Sequence, residues 1–414
     1  MKNQNKKIPK IRFESFEKRW ESYQLSEYSS YRRGSFPQPY GNKEWYGGNN
    51  AMPFVQVVDV LENLRLVADT KQKISNLAQP MSVFVPSNSV IVTLQGSIGR
   101  VAITQYDAYV DRTILIFEDY ISQTNKEFWA YTIRNKFEIE RQKAPGGTIK
   151  TITKEALSDF KVLIPSYSEQ SAIGSLFRTL DDLLASYKDN LSNYQVLKAT
   201  MLSKMFPKAG QAVPEIRMNG FEGEWEKVKL KDVTESIEYG LNASAKEFDG
   251  ENKYIRITDI DDVSRKFKED SITSPDINVS ECDNYLLCEK DILFARTGAS
   301  VGKTYLYDIK DGKVYFAGFL IRARIKEKFD SKFIFQNTLT DRFTQYVKVT
   351  SQRSGQPGVN GKEYGGYELY IPKYKEQQAI GAYFSNLDNL INSYQEKISQ
   401  LETLKKKLLQ DMFI

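Results

Sequence analysis

The chain has 414 residues, 41% hydrophobic and 27% charged, with a formal net charge of +5. That composition belongs to a folded chain rather than a disordered one, and the length argues for two or more domains. Histidine is absent altogether, which removes the commonest general base and metal ligand, and with them Ser-His-Asp triads, H-E-x-x-H proteases and Cys2His2 zinc sites.

In chain order, the first landmark is Pro9-Lys-Ile-Arg-Phe-Glu-Ser-Phe-Glu-Lys-Arg-Trp20-Glu. The polar loop Ser29-Ser-Tyr-Arg-Arg-Gly-Ser-Phe-Pro-Gln38 precedes the first strands, expected at Phe54-Val-Gln-Val-Val-Asp-Val, Val90-Ile-Val-Thr-Leu and Thr113-Ile-Leu-Ile-Phe, which are β-branched or alternating runs. A turn at Gly96-Ser-Ile-Gly-Arg100 separates the last two, and a helical window covers 125–141. After Ile164-Pro-Ser-Tyr-Ser-Glu-Gln-Ser-Ala-Ile-Gly174 a long helix runs to Pro207, with Leu180, Tyr187, Tyr194 and Met201 at strict sevens and Leu183 and Leu197 at the intervening d positions. Such a narrow a/d seam marks a coiled-coil contact, and Leu184 and Leu191 widen it. About 38 residues at 1.5 Å each make a rod of roughly 57 Å.

The same succession then recurs. Pro214-Glu-Ile-Arg-Met-Asn-Gly-Phe-Glu-Gly-Glu-Trp225-Glu answers the opening without a gap, Ala299-Ser-Val-Gly-Lys303 answers the glycine turn, and Ile371-Pro-Lys-Tyr-Lys-Glu-Gln-Gln-Ala-Ile-Gly381 answers the helix entry. Between them lie a strand run, Tyr254-Ile-Arg-Ile-Thr-Asp-Ile, a helical window over 331–348 and the polar loop Thr350-Ser-Gln-Arg-Ser-Gly-Gln-Pro-Gly-Val-Asn360. The closing helix carries Leu387, Tyr394, Leu401 and Leu408 at sevens, Leu390 and Leu404 at d, and Ile391 and Ile398 beside them. Leu401 and Leu404 are expected to face the Tyr194–197 stretch. The chain is thus a duplication whose ends match and whose middles, roughly 26–160 and 231–365, diverge. Common scaffolding that carries two different specificities has this pattern.

The fold class expected is α+β: two homologous mixed α/β domains joined by two long antiparallel coiled-coil helices, with an internal pseudo-two-fold repeat. The expected division is 1–167 and 214–372 for the domains, 168–213 for the central helix and linker, and 373–414 for the second helix.

Few features carry chemistry. Gly298-Ala-Ser-Val-Gly-Lys-Thr304 has three residues between its glycines where a P-loop has four, so it reads as a tight turn after a buried strand. No dinucleotide fingerprint follows a strand and no aminomethylation segment is present, so neither a catalytic nor a metal site is expected. No run of about 18 apolar residues offers a membrane span, and no secretory signal is readable at the amino terminus. Cys282 and Cys288 are expected to be free thiols of a reducing cytoplasm.

Arg, Gln, Asn and Ser in glycine-containing loops are the residues that read base edges. The candidates for DNA contact are Tyr31, Arg32, Arg33, Ser35, Gln38, Gln95 and Arg100 in the first half, and Asn242, Ser244, Arg296, Lys303, Gln352, Arg353, Ser354, Gln356 and Asn360 in the second. Residues 1–167 hold 23 basic against 17 acidic side chains, whereas residues 214–372 hold 24 against 27. Duplex binding by backbone charge alone calls for a more basic protein, so part of any phosphate clamp must come from partners.

The Trp-Glu opening after Pro-x-Ile-Arg, the glycine turn, the Ile-Pro entry and the long helix ending in Met-Phe resemble the specificity subunits of type I restriction-modification enzymes. Gly34-Ser-Phe-Pro-Gln-Pro-Tyr-Gly-Asn-Lys-Glu-Trp-Tyr-Gly-Gly is similar to that family's Gly-Gly-Thr-Pro loop, with Ser35-Phe36 in place of Gly-Thr. The resemblance implies a non-catalytic subunit in which each middle reads one half of a split DNA site. It also implies helices that set the gap, and docking of two modification subunits with restriction subunits beside them. S-adenosylmethionine, ATP and magnesium would then belong to the partners. Two other readings fit parts of the chain: a methyltransferase or nuclease carrying its own recognition domains, and a coiled-coil adaptor with protein-binding ends.

Overall fold

The apolar runs fold as short strands in a computed structural model, which describes residues 8–143, 157, 160–352 and 356–413. Two units emerge, Met1–Tyr187 with Lys397–Ile414, and Lys188–Glu396.

In the first unit an antiparallel sheet has the order Ser29–Arg33, Ile114–Tyr120, Val90–Thr93, Val101–Ile103. Val90–Thr93 is buried along its whole length. The reason is that both faces are covered: Val90 and Val92 meet Trp129 and Tyr131 of the helix Lys126–Lys143, while Ile91 meets Val55, Val85 and Val110 of a second sheet. In that second sheet Met52–Val55 runs parallel to Ala108–Val110. A separate antiparallel pair, Glu21–Gln24 with Lys161–Ile164, ties the two matching ends of the half together.

The second unit repeats this plan. Its sheet has the order Thr234–Tyr239, Leu320–Ile325, Asp291–Ala295, Thr304–Leu306, with Lys253–Ile255 parallel to Val314–Phe316 and Glu226–Lys229 paired with Glu368–Ile371. The middles that share little sequence therefore share their strand order. Three expectations change in detail. Ser29–Arg33, expected as part of a polar loop ahead of the strands, is itself a strand. The strand runs stop at Val55 and Ile255, because the buried Asp59 and Asp259 accept the N–H of Gln56 (2.8 Å) and Arg256 (2.9 Å) and turn the chain. The window 331–348 is two helices, Ser331–Asn337 and Asp341–Thr350, the second capped by the Thr340 side chain.

The matching ends are structural fasteners. Arg12 grips Glu169 through two bonds of 2.7 Å, and Arg217 grips Glu376 in the same way. The adjacent glutamines accept a backbone N–H at the start of a domain helix, Gln170 from Asn125 (3.1 Å) and Gln377 from Asp330 (3.0 Å). Gly174 and Gly381 are required there, since a Cβ would lie 2.4 Å from Asn125 Oδ1 and 2.5 Å from Asp330 Oδ1.

The long helices are Tyr167–Lys204 and Tyr374–Met412. Within the first unit Asp181 pairs with Lys405, and Lys397 lies over the Tyr187 ring. Within the second, Lys198 pairs with Asp388 at 2.6 Å and Tyr194 meets Tyr394 at 5.5 Å. Numbers rise on one segment as they fall on the other, so the segments are antiparallel. This register corrects the expected facing of Leu401 and Leu404 to Tyr194 and Leu197. It sets Leu401 opposite residues 184–185 instead, against the first core with Leu408. Leu197 and Leu404 are 37% and 45% exposed. The sevens, with Leu180 and Leu387 buried and Tyr194 and Met201 against the second core, do form the seam. The alternating row is Leu184, Lys198, Ile391, Ile398 and Lys405, one residue along from the one expected.

Candidate nucleic-acid interface

Each principal sheet begins with a strand that ends on a glycine pressed against backbone. A Cβ on Gly34 would lie 2.3 Å from the Val110 carbonyl, and one on Gly240 would lie 2.2 Å from that of Ala317. Their N–H groups donate to Ile114 (3.0 Å) and Leu320 (3.1 Å). The polar loops that follow therefore leave the same corner of the same sheet in both units. The segment after the buried third strand reaches that corner too, through Leu94 N–H to Thr113 O (2.8 Å) and Arg296 N–H to Phe319 O (3.1 Å). Arg33, Ser35, Gln38 and Gln95 thus start from this corner in the first unit. Arg33, Gln38 and Gln95 are exposed, and Ser35 Oγ donates to Met81 O at 3.2 Å.

In the second unit the corner is concave. A cavity of about 860 Å³ is lined by Asn242, Arg296 and Gln356, with Tyr239, Arg256 and Thr258. Among the described residues no aspartate or glutamate lines it, although residues 214–372 carry more acid than base. Arg256 is clamped on Asp259 at 2.8 and 3.0 Å, a hydrogen bond that raises its already high pKa and keeps it as a fixed wall. Arg296 lies over the Tyr239 ring, 5.0 Å from its centroid, and makes no side-chain hydrogen bond or ion pair among the described residues. Ser244 is exposed and donates to Asp276 at 3.3 Å.

A counterpart that sequence reasoning missed stands in the first unit. Arg112 is exposed, 5.2 Å from the ring centroid of Tyr40. Tyr40 is fixed by donating to Asp111, and burial, followed by that bond, pushes its hydroxyl pKa well up. Arg112 stands in the short turn Asp-Arg-Thr between two strands, with no glycine or proline to mark a loop.

Other candidates already have partners within the fold. Lys303 is 7% exposed, donates to the Ile260 carbonyl at 3.2 Å and pairs with Asp262, whose pKa it lowers by that hydrogen bond. Arg100 repeats the bond, to Val60 O at 3.3 Å, and approaches Glu62 at 3.6 Å. Both stand after a glycine with positive φ, Gly99 (+80°) and Gly302 (+85°), where a Cβ would press on Phe137 at 2.8 Å and Val347 at 2.7 Å. The turn is therefore a packing device. Asn360 caps the helix Gly361–Gly365, accepting from Glu363 N–H at 2.9 Å. Tyr31 packs against the first core, and Arg32 pairs with Glu118 at 2.6 Å. Gln352 is exposed; Arg353 and Ser354 lie outside the described residues.

Comparison with known proteins agrees with this architecture. The family model described as the type I restriction modification DNA specificity domain matches twice, over residues 17–194 and 222–403. The MjaVIII type I restriction enzyme specificity subunit of Methanocaldococcus jannaschii is 21% identical over 402 residues, covering 94% of this chain and 91% of that one. Among solved structures, the S subunit of a type I system from M. genitalium superposes with a TM-score of 0.66 at 14% identity, over 98% of this chain and 99% of that one. A chain of a type I R-M system solved to explain complex assembly and conformational transition gives 0.50 at 16% identity, over 95% and 97%. With both halves of the chain matched, fold and internal repeat included, the protein belongs to the type I restriction-modification DNA specificity family.

Proposed function

We propose that the chain reads a bipartite DNA site, one half through the domain within 1–167 and the other through the domain within 214–372. The observation that carries this reading is the acid-free cavity of the second domain, holding Asn242, Arg296 and Gln356 inside a stretch of net negative charge. An acid-free patch in such a surroundings favours a polyanion locally, and these three side chain types match the donor and acceptor patterns of purine edges in the major groove. The first domain presents Arg33, Gln38 and Gln95 from the equivalent corner. The modest overall charge fits a subunit that shares the phosphate backbone with others.

The chain itself is the non-catalytic member of the complex and binds no cofactor. Two modification subunits would dock on it and supply S-adenosylmethionine, with restriction subunits supplying ATP and magnesium chemistry in the cytoplasm. The helices would set the gap, so deleting one heptad from each should change the spacing and preserve the bases of both halves.

The experiment is the methylation motif of the reconstituted complex, read base by base. Asn242→Ala with Gln356→Ala should relax the second half-site and leave the first unchanged, and Gln38→Ala with Gln95→Ala should do the mirror image. A well-placed base contact is worth about 1–3 kcal/mol of discrimination. Loss of preference at both halves together from either pair would end the one-domain, one-half account.

A further inference from the structure

The two domains differ in almost every loop residue, yet each sets one unpaired arginine on a tyrosine at the same corner. In the first it is Arg112 over Tyr40, from the turn entering Ile114–Tyr120; in the second it is Arg296 over Tyr239, from the loop leaving Asp291–Ala295. The arginines come from different strands, so the arrangement is not inherited from one matched position. What recurs is the geometry.

Two features make each arginine a reader rather than a fastener, and Arg112 has a third. Neither side chain has a hydrogen bond or ion pair among the described residues, unlike Arg12, Arg32, Arg217, Arg256 and Arg324, each bound to a carboxylate. The acid beside Arg112 is already occupied, since Asp111 accepts from the Tyr40 hydroxyl and from the Thr113 N–H (2.8 Å) and hydroxyl (2.5 Å). Each tyrosine is itself anchored, Tyr40 by Asp111 and Tyr239 by accepting the Gly361 N–H at 3.0 Å. Stacking on an anchored ring restricts the guanidinium without consuming its N–H donors, so less freedom is lost when two of them form a planar pair of bonds. The base edge that accepts such a pair is guanine, through O6 and N7.

We propose that Arg112 and Arg296 are the guanine readers of the first and second half-sites, each positioned by its tyrosine. The inference rests on the DNA-reading function proposed above and assigns one base of each half. It requires a guanine, on either strand, in both halves of the motif.

The test uses the full complex and duplexes carrying the motif found for the unmodified protein. Arg296→Lys keeps the charge and loses the planar fork. It should lower preference for one guanine of the second half by roughly 5- to 150-fold, and leave the first half intact; Arg112→Lys should act on the first half alone. Replacing that guanine with 7-deazaguanine should weaken binding of the unmodified complex and add nothing further to the lysine variant. Tyr239→Phe, which keeps the ring and loses its anchor to the Gly361 N–H, should retain only part of the preference, and Tyr239→Leu should reduce it further. If the lysine variants keep every guanine preference, or weaken binding to all sequences alike as phosphate contacts do, the assignment is overturned. The Asn242/Gln356 pair separates the two failures: should it still shift the second half, the reading function survives and only the arginine assignment falls.

Discussion

Glu169 and Glu376 show how a matching residue can be a fastener. Glu169 is 1% exposed, and accepts both Arg12 bonds and the Trp20 indole N–H at 3.1 Å. Removing one partner of a buried, bidentate pair leaves the other charge without compensation, at a cost of about 3–5 kcal/mol. Glu169→Ala should destabilise the first unit by that amount in denaturant unfolding. Glu376→Ala should cost about 1 kcal/mol less, because the indole N–H of Trp225 makes no hydrogen bond among the described residues. Equal losses would show that the tryptophan bond contributes nothing. Lys303, expected from the sequence as a DNA contact, has partners within the fold in Ile260 O and Asp262. Lys303→Met should lower stability and leave the methylation motif unchanged.

At the scale of elements, the helix seam carries two lysines at matching positions, Lys405 buried and Lys198 partly so. Lys198 meets Asp388, and Lys405 meets Asp181; the side chains of Lys198 and Lys405 are 17% and 11% exposed. Each aspartate is also held by its own domain, Asp388 by Gln336 Nε2 at 3.0 Å and Asp181 by the Tyr131 hydroxyl. A charged pair in an apolar seam is satisfied in one register only, since a slip of one heptad buries a lone lysine. Asp388→Ala should therefore destabilise by about 3 kcal/mol or more, while Lys198→Met with Asp388→Leu should restore most of the loss. Circular dichroism melts of the single and double variants measure this; a double variant as unstable as the single one would mean the pair does more than satisfy itself. The glycine turns belong to the same scale. Gly302→Ala meets both the left-handed backbone and Val347, and should cost about 2–4 kcal/mol.

For the whole molecule, the end of each long helix completes a unit other than the one in which the helix began. Phe413 packs on Phe128, Tyr131 and Phe177 in the first unit, and Phe206 packs on Trp225, Phe333 and Phe384 in the second. Truncating a buried phenylalanine typically costs about 3–5 kcal/mol. Phe413→Ala should lower hydrogen-exchange protection across the first unit and spare the second. Phe206→Ala should do the reverse. Uniform loss of protection in either variant would show that the two units open as one.

The sequence by itself determined the duplication, the α+β class, the long helices with their sevens, and the turn character of the glycine segments. Each of these is a local or periodic property, and periodicity survives without knowing what a face will meet. The row alternating with the sevens was misread by one residue because Leu390 and Leu404 are as apolar as Ile391 and Ile398, and only the antiparallel neighbour selects between them. Which arginines stay unpaired was likewise decided by tertiary structure alone. Arg100, Arg256 and Arg296 are indistinguishable as letters; a carbonyl of Val60, a carboxylate of Asp259 and a ring of Tyr239, brought close by the sheet, give each its task. Arg112 was invisible for the same physical reason: its platform, Tyr40, lies 72 residues earlier and reaches it only when the strands pair.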